Sequence, residues 1–402
     1  MTTARICFVS SEIAPFAKTG GLADVATGLS RYLASVGHDV RLFMPLYRRV
    51  RQSVGELKRA YQGIRLTFGG RELSVDVWTT PLPGQGAALE TPAQVFFLDC
   101  PELFDRPDIY SDQGDEHLRF AALTRGAIES CQRMQWAPHV FHCNDWHTGL
   151  LPLYLRTTYG WDRLFSSSKT LLTIHNIGYQ GTFATSVLQE LGLMEQRRHL
   201  AQDDLDHGHV NFLKTGIMHA DALTTVSRTY AREIQTAEFG MGLEELLRRR
   251  SGVLHGIVNG VDYGDWDPAA DPLILHPYTA DDLSGKAANT RELLEAFELP
   301  YDSTAPVIGI VSRLTGQKGF ELLPDILPVL LHKHDVRLVV LGSGESDMEK
   351  YFQWLRDTYP QKVANYRGYN NELAHRIEAG ADMFLMPSRY EPCGLNQMYS
   401  LR

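Results

Sequence analysis

The sequence predicts an α/β protein of two doubly wound halves, and three observations carry that expectation. At 402 residues the chain exceeds what one hydrophobic core usually holds. Short apolar runs alternate with segments of helical periodicity, the pattern of βαβ units and a parallel sheet. The alternation lapses near a stretch rich in Pro, Asp and Trp and then restarts, which divides the chain into residues 1–260 and 261–402.

The first half opens with the apolar run Ile6–Val9, followed by Lys18-Thr19-Gly20-Gly21-Leu22-Ala23-Asp24. Leu22, Val25, Leu29, Leu33 and Val36 then recur at helical spacing up to Gly37, a natural C-cap, and Val40–Met44 begins the next strand. A unit that opens this way is expected to aim unpaired N–H groups and the positive end of a helix at an anion above the strand ends. Lys18 adds a mobile positive charge suited to phosphate. The dinucleotide fingerprint G-x-G-x-x-G is absent, which weighs against a nicotinamide oxidoreductase. Residues 66–80 alternate as a hairpin, 81–92 are a Pro/Gly/Ala-rich loop, and Val95–Leu98 return to strand. The polar, acidic stretch from Tyr110 to Glu116 leads into a helix marked by Leu118, Ala122, Ala127 and Ile128.

Two further strands end in polar residues. Val140–His142 runs into Asn144-Asp145-Trp146-His147, and Thr170–Ile174 runs into His175-Asn176, the position where open parallel sheets hold their ligands. His142, Cys143, Asp145 and His147 all carry metal-binding side chains, but their spacing matches no helical or ribbon metal motif and strand alternation sends neighbours to opposite faces. Asp145 is better suited to accept hydrogen bonds. Ala222–Val226 gives another strand, Leu243–Arg250 an amphipathic helix whose arginines complement its dipole, and Gly256–Asp262 the approach to the boundary.

Beyond it, strands are expected at Val307–Val311, Val336–Leu341, Val363–Tyr366 and Met383–Met386, and helices from about Phe320, near Met348–Tyr359 and over Glu372–Ala379. After the first of these strands comes Ser312-Arg313-Leu314-Thr315-Gly316-Gln317-Lys318-Gly319, where an arginine fork and a lysine point charge at the head of a helix could clamp a diphosphate. After the last comes Pro387-Ser388-Arg389-Tyr390-Glu391-Pro392-Cys393-Gly394-Leu395, with Glu391 on the loop before a helix.

Composition narrows the function classes. A formal net charge of −9 argues against a basic nucleic-acid surface. The five cysteines, Cys7, Cys100, Cys131, Cys143 and Cys393, form no C-x-x-C pair, no signal-peptide pattern opens the chain, and no run approaches the ~18 apolar residues of a membrane span. These features predict a cytoplasmic protein without nucleic-acid or membrane partners, and they leave the oligomeric state open.

Taken together, Lys18-Thr-Gly-Gly-Leu-Ala-Asp-Val, Asn144-Asp-Trp-His, Thr173-Ile-His-Asn, Gly256-Ile-Val-Asn-Gly-Val-Asp, Ser312-Arg-Leu-Thr-Gly-Gln-Lys-Gly and Pro387-Ser-Arg-Tyr-Glu-Pro-Cys-Gly-Leu resemble, in order, the motifs of bacterial glycogen synthases and plant starch synthases. These are retaining glycosyltransferases of family 5. The resemblance implies the GT-B architecture, two Rossmann-like doubly wound domains facing a central cleft. It implies transfer of glucose from ADP-glucose to the nonreducing end of an α-1,4-glucan, with no cofactor and no metal. Carried over by position, Arg313 and Lys318 hold the diphosphate, and Lys18, Gly20 and Gly21 contact the donor. Asp145 and His175 line the glucosyl site, with a backbone carbonyl at the histidine facing the positive sugar. Asn259, Tyr369, Cys393, Gly394 and Leu395 match donor-site positions, and Glu391 matches the family's essential glutamate.

The match departs in two places. Related retaining transferases carry a second glutamate eight residues after the first, where this chain has Tyr399. Family members also continue past Arg402 with another strand, a second Thr-Gly-Gly loop and a terminal helix, so a chain ending there is expected to be impaired. The alternatives are a glucan-binding remnant without catalysis, as that end suggests, and a retaining transferase that uses UDP-glucose, which would share the cation clamp.

Overall fold

The computed structural model describes residues 3–85, 89, 91–111 and 113–402. Part of the loop expected over 81–92 and Asp112 of the acidic stretch lie outside the described residues. The chain divides into two compact units, Met1–Gly260 and Val261–Arg402.

The first unit is built on strands β1 (Arg5–Val9), β2 (Asp39–Pro45), β3 (Lys58–Phe68), β4 (Arg71–Pro81), β5 (Gln94–Asp99), β6 (Val140–Asn144) and β7 (Lys169–Ile174), with a small antiparallel pair β8 (Thr182–Ala184) and β9 (His209–Asn211), then β10 (Ala222–Thr225) and β11 (Leu254–Gly256). Nine of these form one sheet in the order β11-β10-β7-β6-β1-β2-β5-β4-β3. The seven strands from β11 to β5 run parallel, and β4 and β3 add an antiparallel edge. Parallel strands covered on both faces need continuous apolar side chains, and Phe8, Val9, Phe43, Phe97, Phe141 and Leu172 are all fully buried. Helix α1 (Gly21–Ser35) connects β1 to β2, and a long helix (Glu116–Arg133) precedes β6. The chain moves from β1 to β2 on one side and later returns to place β6 on the other, so the strand order reverses between β1 and β6.

The hairpin is longer than the alternation indicates. It begins at Lys58, and Gly69 and Gly70 turn it with φ of +50° and +91°, which a residue with a Cβ rarely adopts.

The second unit repeats the plan. Strands β12 (Val307–Val311), β13 (Arg337–Gly342), β14 (Val363–Arg367) and β15 (Met383–Phe384) form a parallel sheet in the order β14-β13-β12-β15. One apolar layer, with Ile310, Leu338 and Val340, packs under Leu327, Phe352 and Leu355. The other, with Val307, Val339 and Leu341, packs under Leu293, Leu294 and Ile377. The strand order reverses between β12 and β15. The helix expected from about Phe320 is only a 3-10 turn, Phe320–Leu322, and the α-helix starts later, at Leu327–Lys333. Pro324 explains the delay: it offers no N–H to the carbonyl four residues back and its ring clashes there, whereas Pro328 sits in the first turn where proline is tolerated. The last strand stops at Phe384 rather than Met386.

Candidate active site

In the first unit the functional candidates lie just past the carboxyl ends of β1, β6 and β7, around the reversal of strand order. Asp145 follows β6 with φ +56° and ψ −171°, a region that is essentially glycine's and costs on the order of 1–3 kcal/mol for other residues. Its carboxylate is fixed by the next strand's loop: Oδ1 accepts the backbone N–H of His175 at 2.7 Å and of Asn176 at 3.3 Å. Asp145 is 7% exposed. Burial pushes its pKa up to about 7 against the pull of those two N–H groups, and the Glu12 carboxylate adds to the rise.

The neighbouring imidazoles are held neutral. Asn144 donates through Nδ2 to the carbonyls of Val9 (3.0 Å) and His142 (3.3 Å), so its Oδ1 must be the acceptor for His175 Nε2 at 2.9 Å. His175 therefore carries its proton on Nε2. Its pKa falls to about 3, from burial first and the nearby His142 second. His147 falls to about 3 for the same first reason, stacks on Tyr110 at 5.1 Å, and leaves its buried Nδ1 without a partner among the described residues. His142 turns away to Thr173 Oγ1 at 2.7 Å. Among the described residues no group of three His, Cys, Asp or Glu side chains is arranged to hold a metal ion.

The glycine loop differs from the expectation of open N–H donors. The backbone N–H groups of Thr19 and Gly20 both donate to Glu12, a residue only 3% exposed. Gly20 is the N-cap of α1, Gly21 its first residue, and Lys18 Nζ lies 2.8 Å from Asp24 Oδ1 in the first turn. The N–H groups are turned inward because a buried carboxylate is the stronger acceptor within reach. Asn259 is half-buried in the loop after β11.

In the second unit the candidates again follow the strands that flank the reversal. Arg313 follows β12 and is exposed, and Lys318 closes the turn Gly316–Lys318. The turn is 3-10 and no α-helix grows directly from it, so the clamp is not at the head of a helix. Gly319 has φ +68°, and a Cβ there would lie 2.1 Å from the Pro387 carbonyl oxygen. That close approach seats the turn on the Pro387–Arg389 segment, where Arg389 N–H donates to the Gln317 carbonyl at 3.0 Å. As a result Lys318 Nζ meets Glu391 Oε1 at 2.6 Å, and Ser388 Oγ donates to the same oxygen at 2.6 Å. Both charged side chains are mostly buried, with 18% and 14% of their surface reachable. Glu391 does not open the final helix, which runs Leu395–Leu401 behind Gly394 at φ +76°, with Cys393 half-buried before it. Tyr369 is 51% exposed and donates to Asn371 Oδ1 at 2.8 Å.

Sequence reasoning missed Glu12, Tyr110 and Ser388. Glu12 stands just past β1, the position that drew attention to Asp145 and His175, and that placement was its only signal.

The family model described as starch synthase catalytic domain matches residues 5–249, and the one described as glycosyl transferases group 1 matches residues 294–398. A glycogen synthase of Myxococcus xanthus is 48% identical over 99% of this chain and 82% of its own length. One from Koribacter versatilis is 44% identical over 99% and 80%. Among solved structures, the catalytic domain of starch synthase IV from Arabidopsis thaliana bound to ADP and acarbose superimposes with a TM-score of 0.90 at 32% identity, covering 100% of this chain and 81% of that one. The architecture is GT-B, with two Rossmann-like domains, and the chain belongs to the glycogen and starch synthase family of retaining glycosyltransferases.

Proposed function

We propose that this chain transfers glucose from ADP-glucose to the nonreducing end of an α-1,4-glucan, with retention at the anomeric carbon. The observation that carries the reading is the Lys318–Glu391–Ser388 cluster at the strand-order reversal of the second unit, in a chain whose near-full-length relatives are glycogen synthases. Residues 1–260 serve as the acceptor-side and catalytic half and residues 261–402 as the nucleotide-sugar half. The five cysteines are scattered with no C-x-x-C pair, a spacing that supports a reducing, cytoplasmic setting.

Breaking the glucosyl phosphate bond sends its electron pair to the diphosphate and leaves an oxocarbenium-like carbon. In this reading Arg313 and Lys318 bear on the departing diphosphate, where preorganised cations lower the barrier. Lys18, Gly20 and Gly21 contact the donor, and Asn259, Tyr369 and the Cys393-Gly394-Leu395 backbone complete its binding. Glu391 orients the Lys318 ammonium and supplies negative potential. Asp145 and neutral His175 line the glucosyl site, where an uncharged imidazole does not oppose the positive sugar. The acceptor hydroxyl attacks from the face that the phosphate leaves, and its proton passes to a phosphate oxygen.

The test is incorporation of labelled glucose into glycogen from ADP-glucose, with UDP-glucose as competitor. Label released by an α-1,4-specific glucosidase is the expected result. Preference for UDP-glucose, or glycogen binding without transfer, would overturn the reading.

A further inference from the structure

Glu12 is a carboxylate placed where burial is expensive. It is 3% exposed, and no cation pairs with it among the described residues. Its carboxylate accepts four hydrogen bonds. Oε2 accepts the N–H groups of Thr19 and of Gly20 (3.3 Å), and Oε1 accepts the Thr19 hydroxyl at 2.6 Å and the Tyr110 hydroxyl at 2.5 Å. The Tyr110 phenol is a dependable donor, because burial first and the Glu12 charge second hold its pKa well above the ordinary value. Gly20, the N-cap of α1, has no side chain to cap the helix, and Glu12, eight residues upstream, accepts the N–H of Gly20 itself and places an anion near the positive end of the helix.

An ordinary N-cap serine or aspartate would stabilise the helix without burying a charge beside Asp145, whose pKa the Glu12 charge helps to raise. Local stability is thus a poor account of Glu12. What the carboxylate does control is the turn that carries Lys18: it grips the two residues after Lys18, while the ammonium is drawn onto Asp24 at 2.8 Å.

We propose that Glu12 is a positioning residue of the donor site, fixing the Lys18–Gly20 turn from beneath so that the Lys18 ammonium is held ready for the diphosphate. The inference rests on the donor role given to Lys18 above. Glu12 does not compete with the donor for the loop, since its carboxylate lies on the protein side of the turn. Its effect is on binding of the nucleotide sugar, which is felt in the ground and transition states alike.

The experiment measures steady-state kinetics and ADP affinity by calorimetry for wild type, Glu12→Gln, Glu12→Asp, Thr19→Val and the Glu12→Gln/Thr19→Val double variant. A glutamine cannot accept four donors, so Glu12→Gln is expected to raise the ADP-glucose KM and weaken ADP binding about tenfold, with kcat and the glycogen KM within about twofold. Glu12→Asp recovers part of the loss. Thr19→Val, at an exposed residue and isosteric, raises the donor KM about threefold and adds nothing in the double variant. A merely structural role would lower kcat with the folded fraction and leave both KM values alone; that outcome overturns the proposal, as does an unchanged donor KM in Thr19→Val should Glu12→Gln fail to fold. Wild-type protein that binds ADP but transfers no glucose defeats the functional reading, and the calorimetry then still decides on Glu12. Wild type that does not bind ADP overturns both.

Discussion

Asp145 combines a backbone conformation suited to glycine, near-complete burial and a pKa pushed up to about 7. A raised carboxylate pKa contributes stability that is complete below the unfolded value near 4 and is lost as pH rises through about 7. Asp145 therefore subtracts stability across that window, alongside the equally raised Glu378 and against the opposite pull of the buried neutral imidazoles, and the stability gap between wild type and Asp145→Asn should widen from about pH 4 to about pH 7. At pH 8 the variant is expected to be about 2 kcal/mol more stable by denaturant titration, while glucose transfer falls about a hundredfold. A variant with wild-type stability at pH 8 would mean that the buried carboxylate is not strained by its charge. The position of Asp145 and His175 just past β6 and β7 was legible in the sequence, because both follow apolar runs directly. Their relation was not, since the bond from Asp145 to the His175 backbone joins loops thirty residues apart. Glu12 was less legible still, because nothing in Ser11-Glu12-Ile13 tells that its side chain turns inward to the loop that follows.

At the scale of elements, the apolar runs and helical spacings located most strands of both sheets within a residue or two, but the hairpin begins at Lys58 rather than Leu66 and the edge strand β11 was not anticipated. Errors fell where local chemistry overrides periodicity. Pro324 postpones a helix, and glycines turn the chain at Gly69 and Gly319. The Gly319 turn matters most, because it seats Lys318 against the segment leading to Glu391. Gly319→Ala must move the Pro387 backbone, so a loss of about 2 kcal/mol in thermal stability is expected together with weaker donor binding. An active, fully stable alanine variant would show that the contact does not set the site. The start of the second unit has a similar anchor: Trp266 stacks between His375 at 3.8 Å and Tyr399 at 4.0 Å, and His375 Nδ1 meets buried Asp271 Oδ2 at 2.7 Å. Trp266→Ala is expected to cost about 3 kcal/mol by denaturant titration, and a change below about 1 kcal/mol would remove the stack from the account. Tyr399, the departure from the two-glutamate pattern, is thus a packing residue here.

For the molecule as a whole, one device appears twice. Each unit reverses its strand order beside its first strand, between β1 and β6 and between β12 and β15, and each reversal gathers charged side chains from loops distant in sequence. The halves and their boundary were readable from the restart of the βα alternation, whereas the pairing of Lys318 with Glu391, across 73 positions, required the fold. That pair is the centre of the proposed chemistry. The most direct measurement is the rate of labelled glucose transfer from ADP-glucose to glycogen by wild type, Lys318→Ala, Glu391→Gln and the double variant. If the pair acts as a unit on the departing diphosphate, each single substitution lowers kcat/KM at least a hundredfold and the double variant is little worse than either one. Active wild-type protein with both single variants within a fewfold of it would contradict the account.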